Sequence, residues 1–387
     1  MVRPNPGNGD DASTTVWRSD LDRTIWAWRA RELERGAIAA DAVLASPEAP
    51  PEAKEVAYAN STWYAPTLAE LLPSTGFSPL APAVEPGWTR FNPSILAGEG
   101  DPILATVRSS NYTLVEPDQY AVVDASGVVR SETYLLELTE DLGIAWSRRI
   151  VSPVPRKTTD FAVRGYEDLR LVRVDGRLHA TATVRDLSPS GLCQMVLLGL
   201  GLDGSVRSEV ALSGPTPGRH EKNWVPLPTG ALQARACAGS PDAGSGTGVL
   251  GIVYGWDPLE LFEVDVETGR VAAVGERVAT GLGGATRGGT QGVSFFGDTL
   301  FVVHESVRMP DGSRRYPHRF VAVGARGSVT GVSQRFFFFT RGVEFAAGLA
   351  AVGDRVLVSF GVSDERAWIA SLRTDDVLGI LVAPGLG

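Results

Sequence analysis

Five short polar motifs hold the residues with chemical potential: FNPSI (Phe91–Ile95), YEDLRL (Tyr166–Leu171), EKNW (Glu221–Trp224), RGGTQ (Arg287–Gln291) and a last pair, Glu344-Phe345 with GVSDERAW (Gly361–Trp368). Their carboxyl groups are of the type that gives and takes protons, and their Lys and Arg side chains can hold an anion. Steps from Asn92 to Asp168, Asn223, Gly289 and Glu344 are 76, 55, 66 and 55 residues, so the motifs recur at a domain-building period. Other chemistries lack their residues. The four histidines share no metal-ligand spacing, and Cys193 and Cys237 form neither a disulfide framework nor a metal motif. GLGGATRGG (Gly281–Gly289) lacks the Gly-Lys-Ser/Thr ending of a phosphate loop, and no Gly-x-Ser-x-Gly elbow occurs.

Each motif opens the same sequence of elements: a polar start, an apolar strand, a Gly- or Asp-rich turn, then a second apolar strand. RLVRVDGRLHATATV, VSFFGDTLFVVHE and LAAVGDRVLVSFGV read as hairpins. With 44 Gly and 25 Pro in 387 residues and no collagen-like period, the chain must turn often. Five units of four strands fill the chain from about Glu85 onward. The expected fold is all-β: a five-bladed β-propeller over 85–387, preceded by a helical arm over 1–84. Inner strands of a propeller surround one channel, so the five polar starts should meet at its mouth.

Trp17, Leu21, Ile25 and Trp28 recur at helical spacing in the arm, with Gly36 as a C-cap. Further helices are expected over Ala37–Leu44, Pro51–Ala59 and Thr67–Leu72. The arm can cap the propeller or make a homodimer contact. Composition bounds the rest. There are 36 Lys and Arg against 45 Asp and Glu, a net charge of −9, which disfavours a nucleic-acid partner. Hydrophobic residues make up 43%, ample for a core. No run reaches the ~18 apolar residues of a spanning helix, and the N-terminus has no apolar signal region. The reading is a soluble cytoplasmic protein with no membrane partner.

Taken in order, the five motifs resemble the blade motifs of glycoside hydrolase family 130, the inverting mannoside phosphorylases and related hydrolases, over about Gly87–Leu372. The resemblance implies that Asp168 is the catalytic acid, passing its proton through a sugar hydroxyl to the leaving oxygen. It implies sugar-holding roles for Asn92, Arg108 and Asp364, with Glu167, Asn223, Trp224 and Asp257 also at the substrate site. Lys222, Asn223, Arg287 and His304 fall where phosphorylases bind phosphate, and His318 and Arg319 add a second basic pair. An acid of this kind needs a pKa raised by its surroundings. Inversion also needs water or phosphate on the opposite sugar face. For water, Glu221, Asp257 or Glu260 would be the base. No cofactor is implied beyond inorganic phosphate or a sugar-phosphate donor as co-substrate, and the expected partner is an oligosaccharide or glycoside. Two departures stand out: Leu169 replaces the usual Pro in the acid motif, and the His-Arg-Pro segment after Trp224 is absent. They keep open a glycosyltransferase using a sugar nucleotide or sugar phosphate, and a non-catalytic sugar-binding propeller. Trp88, Trp224, Trp256 and Trp368 flank motifs and can stack on sugars or fill space between blades.

Overall fold

The apolar runs form strands that pair in chain order into five sheets, each antiparallel along its four-strand path. The computed structural model describes residues 16, 18–24, 33–98, 100–116, 119–152, 158–228, 248–325 and 327–383. The first sheet runs Thr89–Leu96, Ile103–Ser110, Val129–Leu138, Ile144–Arg149, and the second Glu167–Val174, Arg177–Val184, Gln194–Leu200, Val206–Leu212. The third runs Val225–Pro226, Val249–Trp256, Leu259–Asp265, Val271–Val278. The fourth runs Thr286–Gly288, Asp298–Glu305, His318–Val323, Val329–Val332, with Val293–Phe295 also paired to its second strand. In the fifth, Glu344–Val352, Arg355–Val362 and Arg366–Arg373 are completed by Gly76–Pro79, a strand from before the first blade. That exchange closes the ring, and the protein is a five-bladed β-propeller.

The inner strands of the blades are buried on both faces, which is why they are apolar runs rather than strict alternations, whereas outer strands such as Ile144–Arg149 are mostly exposed. Separate cores fill the wedges between blades; Leu135, Leu171 and Val196 share one, and Val253, Trp256 and Phe301 another. The expected hairpin turns are present, with Asp175-Gly176 and Phe296-Gly297 in left-handed backbone. Gly288 and Gly289 are needed for close approach: an added Cβ would lie 2.4 Å from the Asn223 carbonyl oxygen at the first and 2.3 Å from the Val302 carbonyl oxygen at the second.

The arm helices are Leu33–Ala45, Pro51–Ser61 and Leu68–Leu71, the last held by a Thr67/Glu70 capping box. Trp17, Ile25 and Trp28 lie outside the described residues. Gly36 does not end a helix; it lies inside Leu33–Ala45, where the Tyr64 ring occupies the space of its missing Cβ. Among the described residues no helix is long and apolar enough to cross a membrane.

Two side chains close the central channel. From blade two, Arg170 donates from Nε to the Gly289 carbonyl of blade four at 2.6 Å. From blade four, Gln291 donates to the carbonyls of Ile95 and Leu349, in blades one and five. One mouth is a polar cavity of 540 Å³; the other is a 390 Å³ hollow lined by Leu96, Leu171, Leu227 and Val293.

Candidate active site

Three of the five motifs share a backbone device. Asn92, Asp168 and Asn223, at the starts of the first three inner strands, have φ of 45°, 52° and 61°. Asn and Asp tolerate this left-handed region better than other side-chain-bearing residues, at a cost of order 1 kcal/mol. Strand register also shifts beside two of them, between Phe91 and Ser94 and between Thr181 and Thr183. A bulge re-aims a side chain, and here all three line the polar cavity. Asp364 reaches it differently. Ser363 and Asp364 form a two-residue turn with φ of 55° and 53°, a conformation that usually selects Asn-Gly.

At the cavity floor one guanidinium faces three carboxyl groups. Arg108, its side chain 7% exposed, lies 3.1 Å from Asp168 and 3.5 Å from Glu167. It also donates to Ser131 at 3.0 Å, and Asn92 donates to the same Asp168 oxygen at 2.9 Å. Tyr112 donates to Asp364 at 3.1 Å. One positive charge cannot satisfy three negative ones in a desolvated site. Burial pushes Asp364 up to about 6, with Arg108 opposing and Asp168 assisting. Burial also raises Glu167 against the pull of Arg108. For Asp168 burial acts upward, but the Arg108 charge and the Asn92 hydrogen bond outweigh it and hold the carboxyl below its usual value. The raised pKa expected for Asp168 therefore falls on its two neighbours, Glu167 and Asp364.

Arg170 stands behind this floor, fully buried, and burial lowers its pKa to about 10. It donates to the Asp168 carbonyl at 3.4 Å and to Asn223 Oδ1 at 3.5 Å, and lies over the Phe345 ring.

The expected basic group is only partly assembled. Lys222 and His304 line the cavity. Arg287 does not; its guanidinium donates to the Gly284 and Thr286 carbonyls at 2.6 and 2.8 Å. Burial, then the neighbouring His318 and Arg170, hold His304 well below its usual pKa, so it offers a neutral imidazole rather than a cation. Its Nδ1 has no partner among the described residues. Arg185 and Arg314 join Lys222 and Arg108 along the wall, giving four cationic side chains against Glu167, Asp168 and Asp364.

Four expected site residues lie elsewhere. Trp224 is 1% exposed, donates to Glu221 at 3.0 Å and packs edge-on against Tyr254, filling space between blades two and three. Asp257 accepts from the backbone of Thr280 and Gly283, organising a loop. His318 is fully buried against Phe336 and Phe338, with a pKa lowered to about 3 by burial. Arg319 is bound to Glu305 and the Ser333 carbonyl at 3.0 Å each. Of the carboxylates considered as bases, Glu221 is taken by Trp224 and Tyr254, and Glu260 pairs with Arg277. Residues outside the motifs also line the cavity, among them Tyr112, Tyr120, Arg185 and Tyr316, together with Phe345 of the fifth motif. Tyr112 sits in a hairpin inserted within blade one, which no repeat signals. Among the described residues no trio of His, Cys, Asp or Glu is placed to hold a metal ion.

No protein-family model matches the chain, and no curated protein matches it in sequence. Solved structures do match. β-1,2-Mannobiose phosphorylase from Listeria innocua superposes with a TM-score of 0.51 at 12% identity, covering 82% of this chain and 98% of that one. The two share a fold. A glycosyl hydrolase from Bacteroides ovatus gives 0.51 and 12% over 73% and 83% of the two chains. A GH130 structure described with hydrolases that target β-1,2 mannosidic linkages in Candida mannan gives 0.50 and 11% over 73% and 84%. At such identities the likeness speaks for the propeller; the chemistry must come from the cavity.

Proposed function

We propose that the protein is a carbohydrate-active enzyme that breaks a β-mannoside-like glycosidic bond with inversion, in the manner of glycoside hydrolase family 130. The observation that carries this reading is the floor of the cavity, where one guanidinium faces three carboxyl groups. Such a cluster retains a proton near neutrality, which glycoside cleavage requires at the leaving oxygen. Asp168 is the general acid. Its own pKa is held low by Arg108 and Asn92, and it lies beside two carboxyls that hold protons more strongly. A sugar filling the cavity strips the remaining water from Asp168, whose side chain is 21% exposed. Desolvation is the influence that already pushes it upward, so sugar binding favours protonation drawn from Asp364. Asn92, Arg108 and Asn223 offer donors and acceptors to sugar hydroxyls. Lys222, with Arg185 and Arg314, supports phosphate as the nucleophile.

The same cations support a second reading, transfer from a donor that carries phosphate. Incubation with β-mannosides, with and without phosphate, separates the two when anomeric products are followed by NMR. Cleavage of a β linkage giving an α product first is expected, and D168N should abolish it. A β product first would overturn inversion. Growth of an acceptor from a sugar nucleotide, with no cleavage, would establish transfer. Glycan binding without either reaction would establish a binding propeller.

A further inference from the structure

Apolar side chains, two of them largely exposed, line part of the cavity. The hairpin Tyr112–Glu116/Gln119–Val122 inserted in blade one brings Leu114, Val115 and Tyr120 to the cavity, with Val115 60% and Tyr120 51% exposed. Val129 and Val163, from strands that pair in parallel, extend the same wall. Large apolar side chains left in water cost free energy unless something covers them, and a contiguous group beside a polar site marks a ligand surface.

The wall is continuous with the chemistry. Tyr120 packs edge-on against Tyr112, ring centroids 4.7 Å apart, and the Tyr112 hydroxyl donates to Asp364. The wall, the carboxyl cluster, Lys222 and Arg314 all line one cavity, so a ligand held at the cluster can reach the wall. The side chains of Leu114, Val115, Val129 and Val163 have no donor or acceptor for a sugar hydroxyl. A second pyranose lying there would leave hydroxyls without partners, a loss a hydrocarbon does not suffer.

Building on the glycoside-cleaving assignment above, we propose that this wall is the aglycone subsite, and that the substrate is a glycoside whose aglycone is apolar, an alkyl or aryl group rather than a second sugar. Hydrocarbon burial makes the preference steep. Affinity should rise about threefold to fourfold for each methylene that reaches the wall, levelling off once the chain passes Val115.

The experiment titrates the full chain with methyl, butyl, hexyl and octyl β-mannosides by calorimetry below their micelle concentrations, and repeats the series with V115N. Because Val115 is mostly exposed, V115N should fold. Octyl binding at least about 30-fold tighter than methyl, with a slope at least halved by V115N, is the expected result. Equal binding of methyl and octyl glycosides would overturn the apolar subsite and leave the mannoside reading standing. A chain-length slope that V115N leaves intact would also overturn it, since the chain would lie elsewhere. Octyl glucoside binding as tightly as octyl mannoside, with a V115N-sensitive slope and no methyl mannoside binding, would keep the subsite and sink the mannoside reading. A wild-type dimer that V115N dissociates in sedimentation would assign the wall to a second copy of the chain and overturn the proposal.

Discussion

Two buried charge clusters sit on this propeller, and they are balanced in opposite ways. At the cavity, Arg108 is in direct contact with Glu167 and Asp168, Asp364 is held by the Tyr112 hydroxyl, and Arg185 and Lys222 act on Glu167 from farther off. Between blade four and the arm helix Pro51–Ser61, Glu305 alone is served by Arg319 and Arg335 at 3.0 Å each, and by the Tyr58 hydroxyl. Arg335 also donates to Ser61 and lies over the Tyr58 ring. For Glu305 burial acts upward, but the two guanidiniums hold it below its usual value, while Tyr58 is pushed up to about 12, chiefly by burial. The interface cluster is satisfied and keeps its charges constant. The cavity cluster has one guanidinium in direct contact for its three carboxyls, and two of those carboxyls hold their protons more strongly than usual. A surplus of partners builds structure; a deficit leaves chemistry.

That contrast can be broken experimentally. The largest effect expected is on turnover: D168N should lower kcat/KM for a cleaved glycoside by at least about 10³-fold, with little change in Tm. An equal loss of stability would make the cavity cluster structural and end the distinction. Next, E305A should cost about 3–5 kcal/mol in denaturant unfolding, because it strands two guanidiniums, while kcat/KM of the folded protein for a cleaved glycoside changes by less than about threefold.

The pH dependence of stability should run in opposite directions. Asp364 has a folded pKa of about 6, above the ordinary 3.8. Its contribution is therefore fully present below the ordinary value and is lost as pH rises through about 6. D364N should exceed the wild type by about 3 kcal/mol at pH 8 and match it near pH 3.5. Glu305, lowered in the fold from an ordinary 4.5, contributes stability above that value and loses it as pH falls further. The deficit of E305Q should thus shrink on acidification, as seen in Tm against pH. Parallel slopes would refute the contrast. The smallest effect separates two cations: K222A should raise the KM for phosphate about tenfold, and R287A less than about twofold, since Arg287 is engaged by its own loop.

Much of this was legible in the chain. Hairpin turns such as Asp175-Gly176 and the recurring polar starts indicate five blades, and Asn92, Arg108, Asp168, Asn223 and Asp364 do meet at one mouth. The failures have separate physical causes. Arg287, His304 and His318 face one another across successive strands of blade four, so they share one row. Arg287, on the innermost strand, turns its guanidinium back to the Gly284 and Thr286 carbonyls, and His318, on the third strand, is buried in the blade, so of the three only His304 meets the cavity. Trp224 is one residue beyond Asn223, and alternation sends it to the core. Tyr112, by contrast, belongs to an insertion, where the repeat carries no information.

Local rules therefore settled the elements: apolar runs made strands, Asp-Gly pairs made turns, and Asn or Asp took the left-handed positions. The sequence also determined which residue types could do chemistry. Only the tertiary structure decided their charge states. Whether a carboxyl keeps its proton depends on the cations and water within a few ångströms, and in a propeller those neighbours arrive from blades that are distant in the chain.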